Sequence, residues 1–294
     1  MSSDAAAKLW EDSINQRLFD LVHSPHNHDK LGGILAIGAR LQSYFDLQTL
    51  MVLDHLLDVD GEETIEFKHN LFRFYNYVKS LLPNSDLNVM LAASKTLGQI
   101  AEIGGAAFGE HFMDYEVPAA IGLLQGDKQE PGRYAGVLIL KELARNSPGY
   151  FHSHIDLVFD KILMPIRDPR VIVREGAAEL LAACLEIIAQ RERQSKSAHL
   201  SKILTDAQAG LKTSQPETIH GSLLTYRELL LHGGMVSLCV LCFLSQFLAV
   251  LVHAREFHGH GGKYFTLPDF SRSLGAEDGH HPYSYPCRIR YADI

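Results

Sequence analysis

Apolar residues recur every three or four positions along most of this chain, in blocks broken by short polar turns. That spacing puts them on one face of a helix, and no stretch shows the sustained alternation of a strand. Five blocks share a further feature, a small residue near their start: Lys30–Leu41, Val89–Ile103, Arg133–Ala144, Val171–Ile188 and Ile219–Leu231. Leu, Ile or Val follows at helical spacing in each. A small residue there predicts close approach of a second helix. Other blocks precede them: Ser13–Val22 with Ile14, Leu18 and Leu21, Leu71–Leu82 with Phe74 and Val78, Phe112–Leu124, and Phe151–Ile166. The chain therefore reads as helical pairs joined at Pro83-Asn84, Gly126-Asp127 and Asp168-Pro169.

The pairs repeat. With Gly33, Ala93, Gly136, Ala177 and Ser222 as anchors, the separations are 60, 43, 41 and 45 residues. Three of these match one HEAT or armadillo unit. The longer one predicts an insertion, placed at Arg40–His55. The clearest unit runs from Asp168 and Pro169 through Val173, Arg174, Ala177, Ala178 and Leu181. Pro169 punctuates the turn, since a proline inside a helix removes a donor and clashes with the preceding turn. Val173, Ala177 and Leu181 step by four along one face, and Arg174 is expected to reach across to the preceding turn or repeat, with Asp168 as a candidate acceptor. Asp86, Val89, Ala93 and Leu97 repeat the scheme, and Asp127 and Arg133 repeat its Asp-to-Arg offset. The predicted fold is all-α: a HEAT/armadillo-like solenoid of about five antiparallel helix pairs over residues 1–232, followed by a divergent tail over 233–294.

The blocks KLGGILAI (Lys30–Ile37), YVKSLLPNSDLNVMLAASKTLG (Tyr77–Gly98), RYAGVLILKEL (Arg133–Leu143), DPRVIVREGAAELLAAC (Asp168–Cys184) and IHGSLLTYREL (Ile219–Leu229) resemble, in order and nearly in spacing, the N-terminal HEAT region of the target of rapamycin (TOR) kinases. The resemblance covers roughly residues 15–231. It implies an α-solenoid that holds partner subunits of the TOR complexes, among them the substrate-presenting subunit raptor, with dimerisation arising only in the full-length protein. It also implies a serine/threonine kinase domain far downstream, beyond the reach of 294 residues. Arg40–His55 has no counterpart in the family. The pattern also stops near His232, which predicts a truncated or alternatively spliced product, or a gene model read into non-coding sequence.

Composition narrows the remaining possibilities. The chain is 46% hydrophobic and 21% charged, the balance of a folded domain, and its formal net charge of -8 comes without a basic stripe. Nucleic acid is therefore not an expected partner. The four cysteines are too unevenly placed for a disulfide framework, and Met1–Trp10 is not a signal peptide, so a cytoplasmic setting is the default. Met235–Val252 is eighteen residues without charge, interrupted by Ser237, Ser245 and Gln246. Three readings stay open for it: a helix packed on the last repeat, a membrane segment, or translated sequence with no selected fold. The soluble character of the repeats weighs against the membrane. The stretch after it, His258–Tyr291, reads as poorly ordered.

No catalytic, cofactor or metal site is expected. Asp269-Phe270 is followed by Ser271 rather than Gly, and Gly259–Lys263 lacks the first glycine of a phosphate loop and runs into Tyr264. The histidine clusters (His23, His26 and His28; His253, His258 and His260; His280 and His281) and the pair Cys239 and Cys242 lack converging ligands in sequence. Asp114 and Glu116 read as charges that complement a helix dipole, and Arg191–Lys196 as a solvated loop. Lys141, Glu142, Glu179 and Arg227 are the candidate partner contacts, as exposed positions on the ridge of the second helices.

Overall fold

A computed structural model describes residues 3–54, 62–125, 129–191 and 196–232. They form helices α1 (Ser3–Val22), α2 (Asn27–Asp54), α3 (Glu62–Lys79), α4 (Leu87–Gly104), α5 (Glu110–Leu123), α6 (Glu130–Asn146), a single turn α7 (Pro148–Phe151), α8 (Ile155–Ile166), α9 (Val171–Arg191), α10 (Lys196–Leu211) and α11 (Pro216–His232). Two 3-10 turns, Gly105–Phe108 and His152–His154, complete the order, and there is no strand among the described residues. The predicted tail, including 235–252, lies outside them.

The helices pack as pairs: α1 on α2, α3 on α4, α5 on α6, α8 on α9, α10 on α11. The second helices also stack on one another, α2 on α4, α4 on α6, α6 on α9, α9 on α11. This is the connectivity of an α-solenoid, in which no pair can bury its apolar face alone and each covers its neighbour's. The shared core is aliphatic and aromatic: Ile34, Ile37 and Leu41 of α2, Phe74 and Val78 of α3, Leu97 and Ile100 of α4, Leu138 of α6, Leu180 and Leu181 of α9, all fully or almost fully buried.

Local chemistry fixes the helix ends. Asp86, with extended backbone (φ −92°, ψ 118°), accepts the amides of Asn88 and Val89 and so starts α4. The α4 helix ends at Gly104, followed by Gly105 with φ +47°, a value that favours glycine. Pro131 and Pro216 occupy the first turns of α6 and α11, where an amide has no partner to lose. The turn from α8 to α9 closes with Asp168 N–H donating to the Pro165 carbonyl at 3.2 Å.

Of the stretch Arg40–His55, residues 40–54 continue α2, and His55 lies outside the described residues. Two details differ from the sequence reading. The first helices of the second and fourth pairs are trimmed or split. The Leu71–Leu82 block ends as a helix at Lys79, with Leu81 and Leu82 buried in the turn after it, and the Phe151–Ile166 block is interrupted at His152–His154. The first helix of the fifth pair, α10, has no counterpart in the sequence reading, although Leu200, Ile203, Ala207 and Leu211 have the spacing that marks the others and are all buried.

The glycines test how tightly the pairs meet. A methyl group on Gly221 would run into the Ile166 carbonyl, and one on Gly136 would lie 2.7 Å from the Ala120 carbonyl oxygen, both backbone that cannot step aside. Gly32 has nothing within 4 Å of that position. Gly32→Ala is therefore expected to stabilise the chain by about 0.5–1 kcal/mol, whereas Gly221→Ala costs about 1–3 kcal/mol through overpacking. Urea unfolding of the two variants beside the parent reads both signs, and a neutral Gly221→Ala would show that α8 and α11 are looser than described.

Candidate interaction surface and the repeat junctions

The residues singled out in the sequence fall into two sets. Gly33, Ala93, Gly136, Ala177 and Ser222 all lie buried on second helices. Gly33 faces Val22, whose Cγ2 would be 2.9 Å from an added methyl, and Gly136 faces α5 at Ala120 and Leu123. Ala93 and Ala177 have no exposed surface. Ser222 packs against Gly210 of α10 and turns its hydroxyl back to the Thr218 carbonyl at 2.8 Å.

The second set, Asp86, Arg133, Asp168, Pro169 and Arg174, lies at the starts of the second helices, where one pair meets the next. Asn27 at the head of α2 donates to Asp86 Oδ2 at 3.0 Å, linking the first pair to the second. The third and fourth pairs are joined more strongly. Arg133 of α6 donates from its Nε to Asp168 Oδ2 at 2.6 Å and from its Nη2 to Asp168 Oδ1 at 3.2 Å. This bidentate geometry fits a guanidinium to a carboxylate, and the Asp168 hydrogen bond pushes the Arg133 pKa up. Asp168 Oδ1 also accepts the Arg170 amide at 2.9 Å.

Arg174 does reach the preceding turn, but at the backbone: its Nη1 donates to the carbonyls of Asp168 at 2.6 Å and Pro169 at 3.0 Å. Its Nε donates to His220 Nδ1 on α11 at 3.0 Å. The Asp168 carboxylate belongs instead to Arg133 of the pair before. Sequence spacing suggested a bond within one repeat, but the carboxylate bridges two, because the turn aims it at α6. Asp127, the third aspartate of the pattern, lies outside the described residues.

Other charged positions also differ from the sequence expectation. Lys141 and Glu142 are 8% exposed, so they are not on an open ridge. Lys141 sits 3.0 Å from Glu179 of α9 and 3.5 Å from Glu142, a polar contact between the stacked second helices. Glu179 and Arg227 are exposed as expected. Glu116 is 2% exposed and lies beyond the first turn of α5, so a dipole role does not describe it. It accepts Lys79 Nζ at 2.6 Å, and the Lys79 ammonium lies 5.8 Å from the Tyr75 ring centre and 5.9 Å from that of Tyr115. Asp114 is exposed and stands 3.4 Å from His154. Of Arg191–Lys196, Arg191 ends α9 and Lys196 opens α10, and the residues between them lie outside the described structure.

The described residues hold no group of three His, Cys, Asp or Glu side chains able to take a metal. His23 Nδ1 donates to the Phe19 carbonyl at 2.8 Å, and its ring stacks on that of Phe19. Cys184 is fully buried in α9, and that burial pushes its thiol up to about 12. Burial also raises the phenols of Tyr75, Tyr134 and Tyr226. The unfolded chain releases these protons first, so the stability these four groups contribute is full below about pH 9 and falls as pH rises from there toward 12. Urea midpoints at pH 8 and pH 10.5 check this, with the lower midpoint expected at pH 10.5. The other sequence candidates, Cys239, Cys242, Gly259–Lys263, Asp269-Phe270 and the histidines from His253 onward, lie outside the described residues.

What remains open to a partner is a mixed apolar and charged set on the second helices: Leu35, Leu91, Glu175, Glu179, Leu223 and Arg227. A cleft of about 500 Å³ lies between α1 and α2, floored by Ile14, Leu18 and Ala36 and crossed by the Arg40–Glu11 ion pair at 2.6 Å. Apolar centres ringed by charge suit protein contact. Among the described residues no helix is long and apolar enough to cross a membrane.

No protein-family model matches the chain. Individual proteins do. It is 37% identical over 234 residues to the serine/threonine-protein kinase tor1 of Schizosaccharomyces pombe, 80% of this chain and 9% of that protein. It is 31% identical over 229 residues to the serine/threonine-protein kinase TOR2 of Saccharomyces cerevisiae (75% and 8%), and 36% identical over 191 residues to the serine/threonine-protein kinase TOR of Oryza sativa subsp. japonica (64% and 8%). The chain thus spans less than a tenth of the length of these relatives. Agreement of this extent with fungal and plant proteins, carried by a stack of helical pairs, makes the chain a TOR-like segment, homologous to part of the TOR serine/threonine kinases.

Proposed function

We propose that this chain is an interaction scaffold: a HEAT-type solenoid over residues 1–232 that holds partner subunits of a TOR complex in nutrient and growth signalling. The observation that carries the reading is the match of most of the chain to TOR kinases, together with second helices that leave Leu35, Leu91, Leu223 and Arg227 exposed. In this reading the partner is a protein, raptor by family resemblance, the setting is the cytoplasm, and the 233–294 tail is a separate, divergent element. Phosphotransfer belongs to another part of the kinase.

Binding of the purified 294-residue chain to purified raptor is the direct test. Retention in the micromolar range or tighter is expected, weakened at least about tenfold by Leu91→Asp or Arg227→Glu, since a few central side chains carry most interface energy. Equal retention by the parent and both variants would place the contact elsewhere, and no retention would remove raptor as the partner. Magnesium-dependent phosphorylation of a protein substrate by this chain alone would overturn the scaffold reading.

A further inference from the structure

In a linear repeat array each unit touches only its neighbours, so stability is close to a sum of unit terms and nearest-neighbour interfaces. One short segment of this chain serves two interfaces at once. The Asp168 carboxylate is 4% exposed and holds Arg133 of α6 with both oxygens. Six residues on, Arg174 is 6% exposed, takes the Asp168 and Pro169 carbonyls on one nitrogen and reaches His220 of α11 with another. An unbroken run of hydrogen bonds therefore passes from α6 through the α8–α9 turn to α11, which are separated by α9 in the stack.

We propose that the Asp168–Arg174 segment is a clasp that couples the third, fourth and fifth helix pairs into one cooperative block, so that a change at α6 is felt at α11. The reason is geometric. The same turn presents its carboxylate forward to one pair and its carbonyls to the arginine that grips the other. If Arg133 lets go, the turn is free to shift, and Arg174 loses the two carbonyls that aim its Nε at His220. Buried polar groups tied in one network respond together, because each leaves its partner unsatisfied when it moves. The coupling is a property of the chain itself and does not depend on which partner the surface binds.

A double-mutant cycle on the 294-residue chain tests it, with Arg133→Lys and His220→Phe. Lysine keeps the charge but not the two-pronged geometry, and phenylalanine keeps the ring but not the acceptor. The unfolding equilibrium of the double variant should depart from the product of the two single effects by about fivefold or more, as residues in one network do. Agreement within about twofold, the behaviour of independent sites, would overturn the clasp. Should the double variant not fold, amide exchange of Arg133→Lys alone decides. Faster exchange in both α9 and α11, with α2 unchanged, supports the clasp, and faster exchange confined to α6 and the start of α9 refutes it.

Discussion

Replacing Asp168 with alanine is expected to cost about 3–5 kcal/mol, because it removes one half of a buried ion pair and takes a bidentate carboxylate from the other. Arg133 has a side chain only 13% exposed, and its guanidinium would keep its charge with both acceptor oxygens gone. The Arg170 amide would lose its acceptor as well. Urea unfolding followed by circular dichroism measures the effect. Asp168→Asn should fall between the variant and the parent, since one amide oxygen still accepts. The contrast is Asp86, whose carboxylate caps α4 and meets only a neutral partner in Asn27. Asp86→Ala should lose about 1 kcal/mol, the ordinary worth of a helix cap. Equal costs at the two aspartates would mean that Arg133 finds water once its partner is gone.

Phe108→Ala is expected to cost about 3–5 kcal/mol, the range for emptying an aromatic site in a packed core. The ring has no exposed surface. It stacks on Phe72 with centroids 4.7 Å apart, meets Phe112 edge-on at 4.6 Å and lies 5.5 Å from Tyr75, so it joins α3 to α5 at the centre of an aromatic cluster. Gly104 leaves the space the ring fills, since a side chain there would strike Phe108. Losing the ring leaves a void that only backbone movement of the Gly105–Phe108 turn closes. Phe108→Leu should recover more than half of the loss. Thermal unfolding of both variants tests this, and a loss under about 1 kcal/mol for alanine would show that the turn collapses inward at little cost.

The fold class was legible in the sequence for a local reason. Leu, Ile and Val at three- and four-residue spacing define a helical face without reference to the rest of the chain, and the recurrence of small residues in Ala93, Gly136, Ala177 and Ser222 marks where a second helix comes close. Proline and aspartate at the turns carry their own instructions, as at Asp86 and Pro169. The α10 helix carried the same signal, in Leu200, Ile203, Ala207 and Leu211, and was open to the same reading.

The polar residues were not legible in this way. Lys141 and Glu142 have the composition of a solvated ridge yet are buried, Glu116 sits beneath Lys79, and the Asp168 carboxylate serves a different repeat from the one its spacing suggested. A side chain's apolar character commits it to the interior wherever the chain goes. A charge is stable in water or against an opposite charge, and which of the two it meets depends on residues thirty or more positions away. By itself the sequence determined that this protein is a stack of helical pairs of the TOR kind. Only the tertiary structure decided which charges lie between the pairs and which remain for a partner, because that choice is made where separate helices meet.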